Sequence, residues 1–317
     1  MAERATNIID QMDYSNTQKN NAIFQVTNVF THSDIFPDNA SMTKREVMDL
    51  NRENGAKTSH DVHKNAPINY DTYHSYKSAS IPLMIYAKQE YNIRDAHDIT
   101  PDVVRDYLSF SVDCEIKYDT FSKNCSGIDK FCECINAQNG SNQDFHSVIE
   151  SMKVIAKEEL PTSDYVTRAY DNPTAIIEQL SPAAQIAAEL QYTCGLRISD
   201  ACYIKPSMWV DGQLTVHSKN GQYITVTPSA GLAERISAVI KEQGQFAINK
   251  NAYSYELKKA CASIGEEFHG SHGLRHNFAQ DCMREFTSRG MSFNESLKAT
   301  SEAMGHHRQD ITKVYLR

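Results

Sequence analysis

Hydrophobic residues recur with a helical period over much of the chain after residue 70. The apolar positions are three or four residues apart, as expected for one buried face of an amphipathic helix. Thr100 followed by Pro101 is a typical helix start. Helices are predicted over 76–91, from Pro101 to about residue 110, over 120–135 and over 145–160. The pattern therefore predicts a small helical domain over residues 70–160.

The first 69 residues are polar and have no strong period. One helix is predicted within 41–54, because Thr43 and Glu46 have the spacing of a capping box ahead of apolar residues. We expect residues 1–69 to form a helical or irregular N-terminal extension. Residues 161–173, with a proline at either end, are predicted to be an interdomain linker.

The pattern changes in the second half of the chain. Two runs of alternating polarity, 213–217 and 222–227, flank the dipeptide Asn220-Gly221, which is a strong hairpin signal. Lys219 is therefore predicted at a hairpin tip. Helices are predicted from Pro182 to Gly195, over 272–289, and from Ser292 to Gly305. The predicted fold class is mainly α with a small β-hairpin or sheet, with a second domain over 174–317.

Length and composition limit the class of protein. A chain of 317 residues is long for one core and favours two domains. It contains no run of eighteen apolar residues and its N-terminus lacks the pattern of a signal peptide, so we expect a cytoplasmic protein without a membrane partner. The eight cysteines are spread singly, which favours reduced thiols over disulfides.

The negative net charge argues against extensive nucleic-acid binding, because contacts between basic side chains and phosphates supply most of the affinity for nucleic acid. The formal charge is −8. It is unevenly distributed: residues 1–171 carry 17 basic and 26 acidic side chains, whereas residues 172–317 carry 15 and 14. The second half could therefore concentrate basic groups in one cleft.

Candidate chemistry is concentrated in that second half. His272 and Arg275 are three residues apart near a predicted helix start, where backbone N–H groups favour an anion. Arg197 follows the helix break at Gly195. Two guanidinium groups could hold one phosphodiester and stabilise the charge that develops on its oxygens. A single arginine is more often a surface or salt-bridge residue.

Tyr315 is the candidate nucleophile. A tyrosine hydroxyl ordinarily has a pKa of about 10, so it needs a base and nearby positive charge to react at neutral pH. The histidines and arginines could provide both, and Lys219 could act as general acid toward the leaving oxygen. A lone tyrosine in this position is more often a packing residue, and a lysine beside Asn-Gly is often only a solvated turn residue.

Taken in order, these residues resemble the tyrosine recombinase (phage integrase) family. The resemblance covers about residues 172–317. The matching positions are Arg197 and Asp200 in CGLRISDA, Lys219 in the hairpin, His272, Arg275 and His276 in HGLRHNFA, and His306 and Tyr315 in MGHHRQDITKVYL.

The resemblance implies a helical core-binding (SAM-like) domain followed by a catalytic domain, together forming a clamp on duplex DNA. It implies that Tyr315 attacks the scissile phosphate and forms a 3′-phosphotyrosine, with Asp200 and His276 in supporting positions and without cofactor, metal or ATP. It further implies a tetramer on two paired recombination sites, a Holliday junction, a possible accessory directionality factor, and a bacterial or phage-encoded protein associated with the nucleoid.

The expected role is integration or excision of a mobile element. An Xer-like resolvase of chromosome or plasmid dimers would use the same chemistry. Many relatives have a C-terminal segment that docks on a neighbouring subunit, whereas here two residues follow Tyr315, so another element or the tyrosine-bearing helix is expected to be exchanged.

Other classes of function remain open. A zinc enzyme could use the clustered histidines, although Gly273 stands where a metalloprotease motif needs glutamate. A type IB topoisomerase would share the chemistry but would act as a monomer without sequence choice. A catalytically inactive DNA-binding protein on the same fold is a further alternative. The histidines in question are His269, His272, His276, His306 and His307.

Overall fold

The computed structural model describes residues 8–114, 116–162, 168–217, 223–305 and 309–316. The chain divides into two compact units, Met1–Asp164 and Tyr165–Arg317. Helices dominate both units, and the strands found in the described residues are short, antiparallel and confined to the second unit. The predicted fold class, mainly helical with a small sheet, is confirmed. None of the helices in this part of the chain is long and apolar enough to span a bilayer.

The first unit is built from helices α1 to α7. Their bounds are Asn16–Thr31 (α1), Lys44–Glu53 (α2), Ser59–His63 (α3), Tyr70–Tyr91 (α4), Pro101–Asp113 (α5), Tyr118–Asn139 (α6) and Phe145–Glu159 (α7). The helices predicted from the apolar period correspond to α4 to α7. The capping box of Thr43 and Glu46 is present at the start of α2.

Helices α4 and α6 approach each other closely at Gly127. A Cβ atom at this position would lie 2.9 Å from Ala79 Cβ and 3.0 Å from Tyr76 Cα. Only glycine allows this separation without a shift of one helix. Phe131 on α6 then packs against Phe30 of α1, with ring centroids 5.6 Å apart.

Helix α1 is part of this core, which differs from the expectation of a separate extension over residues 1–69. Val26, Val29 and Phe30 are fully buried and belong to the same hydrophobic cluster as α4 and α6. The apolar residues of α1 are sparse and lie among Asn, Gln and Thr, so the sequence pattern alone was weak. Its burial depends on the surface that the other helices provide.

The second unit contains helices α8 to α15 and strands β1 to β5. The helices are Pro173–Glu178 (α8), Pro182–Cys194 (α9), Ile198–Ala201 (α10), Ala230–Gln243 (α11), Lys250–Ser263 (α12), His272–Ser288 (α13), Phe293–Ala303 (α14) and Gln309–Tyr315 (α15). The strands are Tyr203–Ile204 (β1), Trp209–Val210 (β2), Gln213–His217 (β3), Tyr223–Val226 (β4) and Phe246–Ala247 (β5).

The strands form two small antiparallel sheets, one of β1 and β5 and one with the order β2-β3-β4. The predicted hairpin is confirmed as the pair β3 and β4, in register from Leu214 opposite Val226 to His217 opposite Tyr223. Lys219, predicted at its tip, lies outside the described residues.

The predicted linker, 161–173, spans the division between the units. Its last residues belong to the second unit: Tyr170 is buried in the hydrophobic core there, and Pro173 begins α8. A tyrosine side chain supplies enough apolar area to hold this segment on the unit. All eight cysteines are buried and free, in agreement with the expectation of reduced thiols.

Candidate active site

The start of α13 is the centre of the candidate site. His272 is its first residue, and Gly273 follows it. A Cβ atom on Gly273 would lie 2.6 Å from the carbonyl oxygen of Arg168 and 2.6 Å from the Tyr170 ring. Glycine therefore allows the segment 168–170 to pass directly against the helix start.

Asn277 holds this segment in place. Its side-chain oxygen accepts a hydrogen bond from the backbone N–H of Tyr170 at 2.9 Å, and its Nδ2 donates to the Tyr170 carbonyl at 2.7 Å. The Tyr170 hydroxyl in turn donates to the Gly270 carbonyl at 2.9 Å. His269 stacks on the Tyr170 ring, with centroids 5.5 Å apart. These contacts fix the backbone next to Arg168 relative to α13.

Arg275 is buried, with only 1% of its surface exposed. Its guanidinium donates to the carbonyl of Gly195 and, at 2.7 Å, to that of Met304. Gly195 ends α9 in the left-handed conformation, φ +63°, and Met304 is the C-cap of α14. Carbonyl groups at helix C-termini lack intrahelical partners, so Arg275 satisfies two helix ends while lying beside Tyr315. Its guanidinium carbon is 5.9 Å from the centre of the tyrosine ring.

Arg197 and Asp200 lie at the start of the short helix α10, immediately after Gly195. Arg197 is the N-cap and its carbonyl accepts a hydrogen bond from the Asp200 N–H at 2.9 Å. Both side chains are partly exposed. The charge of Arg197 acts on both His272 and Arg275, and that of Asp200 acts on Arg275. The predicted arginine pair is thus brought to one place.

Tyr315, the last residue of α15, is packed into the site and is 8% exposed. Its hydroxyl lies 2.7 Å from Nε2 of His272. Its ring lies 4.5 Å from that of His276, centroid to centroid. Because α15 packs against α13 and α14, the tyrosine is presented to the two histidines by helix packing.

Both histidines are held in the neutral form. Burial is the largest cause that lowers the pKa of His272 to about 3, and positive neighbours lower it further. Burial likewise lowers the pKa of His276 to about 4, while the Tyr315 carbonyl acts in the opposite direction. Desolvation disfavours the imidazolium cation, and nearby guanidinium groups repel it. The permanently charged groups that lower the pKa of His272 are Arg275, Arg168 and Arg197, and His276 adds to this effect only when it is protonated.

Arg168 was not predicted from the sequence, which assigned it to the linker. It is exposed, and its charge lowers the pKa of both His272 and His276. The nearby residues Tyr170 and Asn277, which position its backbone, were also missed. A tyrosine within a mostly polar linker was the available signal, since an aromatic side chain there is best explained by burial.

Two of the predicted site residues, Lys219 and His306, lie outside the described part of the chain, as does His307. Among the residues that the structure does describe, the active-site histidines belong to no group of three potential metal ligands. The Nδ1 atom of His276 is buried and has no hydrogen-bond partner within that same part of the chain.

The arrangement provides the elements of a phosphoryl-transfer site. A neutral His272 can accept the proton of the Tyr315 hydroxyl through Nε2, provided that its own proton is on Nδ1. The guanidinium groups of Arg197, Arg275 and Arg168 create a positive field around the phenol. That field favours both an anionic phosphate and the negative charge that develops on it during displacement.

Comparisons with known proteins identify a family for the second unit. The sequence pattern of the phage integrase family matches residues 162–317. A comparison with curated proteins finds no match.

Solved structures of lambda integrase share the fold. A dimer bound to a COC′ core site is 19% identical, with a TM-score of 0.55 over 87% of this chain and 96% of that chain. A tetramer bound to a Holliday junction is 18% identical, with a TM-score of 0.52 over 88% of this chain and 78% of that chain. The matched regions extend through both units of the chain. The match over residues 162–317 places the second unit of this chain in the phage integrase family.

Proposed function

We propose that this protein cleaves and rejoins duplex DNA through a 3′-phosphotyrosine on Tyr315. The phenol oxygen attacks the scissile phosphorus, the bond from phosphorus to the 5′ oxygen breaks, and the phenol proton passes to His272. The free 5′ hydroxyl of a partner strand then reverses the step. Because the phosphoester is retained in the covalent link, no cofactor or nucleotide is needed.

The observation that carries this proposal is the 2.7 Å separation of His272 Nε2 and Tyr315 Oη. This separation is that of a direct hydrogen bond. With its pKa lowered to about 3, the imidazole is neutral at pH 7, so its Nε2 atom can accept the hydrogen bond of the phenol. A tyrosine that served only for packing would not need a neutral base and several guanidinium groups beside its hydroxyl.

The other site residues receive roles from their positions and motifs. Arg197 and Arg275 would hold the scissile phosphate, with Asp200 beside them and His276 behind the tyrosine ring. Arg275 uses two of its five N–H groups on the carbonyls of Gly195 and Met304, and these bonds fix the direction of the guanidinium beside the proposed phosphate position. We assign Lys219 as general acid for the leaving 5′ oxygen and His306 as a further phosphate contact.

The partners we propose are paired double-stranded recombination sites, bound by a homotetramer in the cytoplasm. The support is the likeness to lambda integrase, solved as a dimer on a core site and as a tetramer on a Holliday junction. We assign the reaction to integration or excision of a mobile element. Resolution of chromosome or plasmid dimers would use the same residues and would differ only in the DNA recognised.

Covalent trapping tests the chemistry without requiring a defined target sequence. A pool of nicked, end-labelled duplexes of randomised sequence is incubated with the protein and denatured, and protein-linked DNA is recovered and sequenced. The nick releases a short fragment after cleavage and so prevents religation. We expect peptide analysis to show that the DNA is attached to Tyr315. We also expect the recovered DNA molecules to share a common sequence.

Two variants serve as controls. Tyr315→Phe should abolish the covalent species, whereas Tyr255→Phe, at an exposed tyrosine of α12, should not change it. Attachment through a different side chain, or an equal yield from Tyr315→Phe, would overturn the proposal. Sequences recovered in this way would also separate a mobile-element attachment site from a dimer-resolution site.

A further inference from the structure

A second cluster of metal-ligating side chains lies in the first unit. It consists of His60 on α3, Asp129 on α6 and His146 on α7. Oδ2 of Asp129 is 3.3 Å from His60 Nδ1 and 2.9 Å from His146 Nδ1. One ligand atom from each residue lies within 4.8 Å of those of the others. Three separate helices therefore bring two imidazoles and a carboxylate close together.

The spacing suits a tetrahedral cation. In a zinc site with bonds of about 2.0–2.1 Å, adjacent ligand atoms are roughly 3.3 Å apart. The two separations from Asp129 oxygen, 3.3 and 2.9 Å, are close to this value. The imidazole rings are stacked, with centroids 3.5 Å apart and planes 22° from parallel. The rings would have to turn apart, because each nitrogen lone pair lies in the plane of its ring and two stacked, nearly parallel planes do not meet at one ion.

The surroundings are open and acidic. The side chains of His60, Asp129 and His146 are 29%, 17% and 36% exposed, which leaves access for an ion and for a water ligand. Three further acidic residues, Asp61, Glu133 and Asp144, and one basic residue, Lys64, line the same cavity. Lys130, the basic residue next to Asp129 in α6, is already paired with Glu133 at 2.6 Å. An ion would therefore meet net negative charge.

Helix α3 is the element around this cluster that a bound metal ion would stabilise most. It contains no buried residue. It is joined to α6 by polar contacts, among them a hydrogen bond from Lys130 Nζ to the His63 carbonyl at 3.2 Å. Just after α3, the N–H of Asn65 donates to Glu133 Oε1 at 2.6 Å. Polar contacts at a surface contribute little each, so α3 is expected to be weakly held without a stronger connection.

We propose that His60, Asp129 and His146 form a structural site for a divalent transition metal ion, with Zn²⁺ as the best match to two imidazoles and one carboxylate. Water completes the coordination. The bound ion joins α3 to α6 and α7 and so orders the polar segment around α3. This site is independent of the proposed recombinase reaction, and neither result depends on the other.

Zinc binding to the full-length protein tests the site. Metal-stripped protein is titrated with Zn²⁺ by calorimetry, and hydrogen exchange of the α3 amides is measured with and without Zn²⁺. We expect His60→Ala, His146→Ala and Asp129→Asn each to bind one equivalent fewer than the wild type, or to bind it more than about 100-fold more weakly. Zn²⁺ should slow exchange in α3 of the wild type.

The matched control is His63→Ala. His63 lies in the same helix, but its Nδ1 faces the Ser59 carbonyl at 2.8 Å and it is not part of the cluster. The His63→Ala variant should bind the same number of Zn²⁺ equivalents as the wild type, and Zn²⁺ should still slow hydrogen exchange in α3. Zinc bound by cysteines or by the active-site histidines would be common to all variants, so the difference between variants is the measurement.

Equal stoichiometry and affinity in the wild type and His60→Ala would overturn the proposal. So would an equal loss in His63→Ala, or no change in exchange on adding Zn²⁺. Asp129→Asn preserves side-chain shape and therefore addresses variants that fail to fold: with an unchanged metal-free melting temperature, it should still lose the site.

Discussion

At the scale of single residues, the state of His272 and His276 decides how the site responds to pH. Their pKa values are lowered to about 3 and about 4, mainly by burial. An ordinary histidine in the unfolded chain has a pKa of about 6.5. Between these values the unfolded chain binds protons that the folded protein does not. The contribution of the two neutral histidines to folding stability is therefore full above about pH 6.5 and declines as pH falls.

We therefore predict that lowering the pH from 7 to 5 destabilises the wild type more than a His272→Gln, His276→Gln double variant. The variant has no imidazoles at these positions, so it lacks the part of the pH-dependent loss of stability that their protonation causes. Urea unfolding at both pH values measures the difference. An equal loss of stability in the two proteins would show that neither imidazole is held neutral in the folded state.

The second prediction at this scale concerns Arg168. Its side chain is exposed and its charge reaches both active-site histidines, so Arg168 should stabilise negative charge on a bound phosphate without supporting the fold. One charge at close range contributes about 1 kcal/mol in water and more near a protein surface. Arg168→Gln should therefore slow cleavage about tenfold or more, and Arg168→Lys should slow it less.

The matched control for Arg168 is Arg284→Gln, at an exposed arginine of α13 that pairs with Asp281. It should cleave as the wild type does. Yield of the covalent complex with time measures the rate, and thermal melting measures stability. A large drop in melting temperature for Arg168→Gln would instead indicate a structural role.

At the scale of elements, the site depends on how closely the segment before α8 approaches the start of α13. Gly273 is the second residue of that helix, and a Cβ there would meet the Arg168 carbonyl and the Tyr170 ring. Gly273→Ala should destabilise the protein by about 1–3 kcal/mol, because backbone or ring must shift. It should also reduce cleavage, since the same shift displaces His272.

Gly231→Ala provides the comparison for Gly273→Ala. Gly231 is likewise the second residue of its helix, α11, but no atom lies within 4 Å of the Cβ position there. The change should be neutral or should stabilise by up to about 1 kcal/mol. Chemical denaturation of both variants measures the contrast, and equal effects would contradict the close approach.

At the scale of the whole molecule, a net charge of −8 must be reconciled with the proposed binding to DNA. The charges that act on the active site are a small group of arginines within a second unit that is otherwise nearly neutral. About four phosphate contacts would give a slope of about −4 for log affinity against log salt concentration. Titration of labelled duplex at several salt concentrations measures it. A slope of about −8 or steeper would require an extended basic surface.

Much of the local structure was predictable because its causes are local. The capping boxes that begin α2 and α14, and Gly195 at the end of α9, act within a few residues of chain. The alternating runs around Asn220-Gly221 similarly predicted the paired strands β3 and β4. Helix α1 was less clear, because its few apolar residues become a buried face only against α4 and α6.

The sequence by itself determined the order of the chemical groups: two arginines, a lysine, three histidines and a tyrosine in ordered motifs. Only the tertiary structure decided which of them meet. It brought Tyr315 to His272, directed Arg275 to two helix ends, and added Arg168 from the predicted linker. It also assembled His60, Asp129 and His146 from three helices. Hydrogen bonds and charges act over a few ångströms, so groups far apart in sequence interact only after packing has placed their helices.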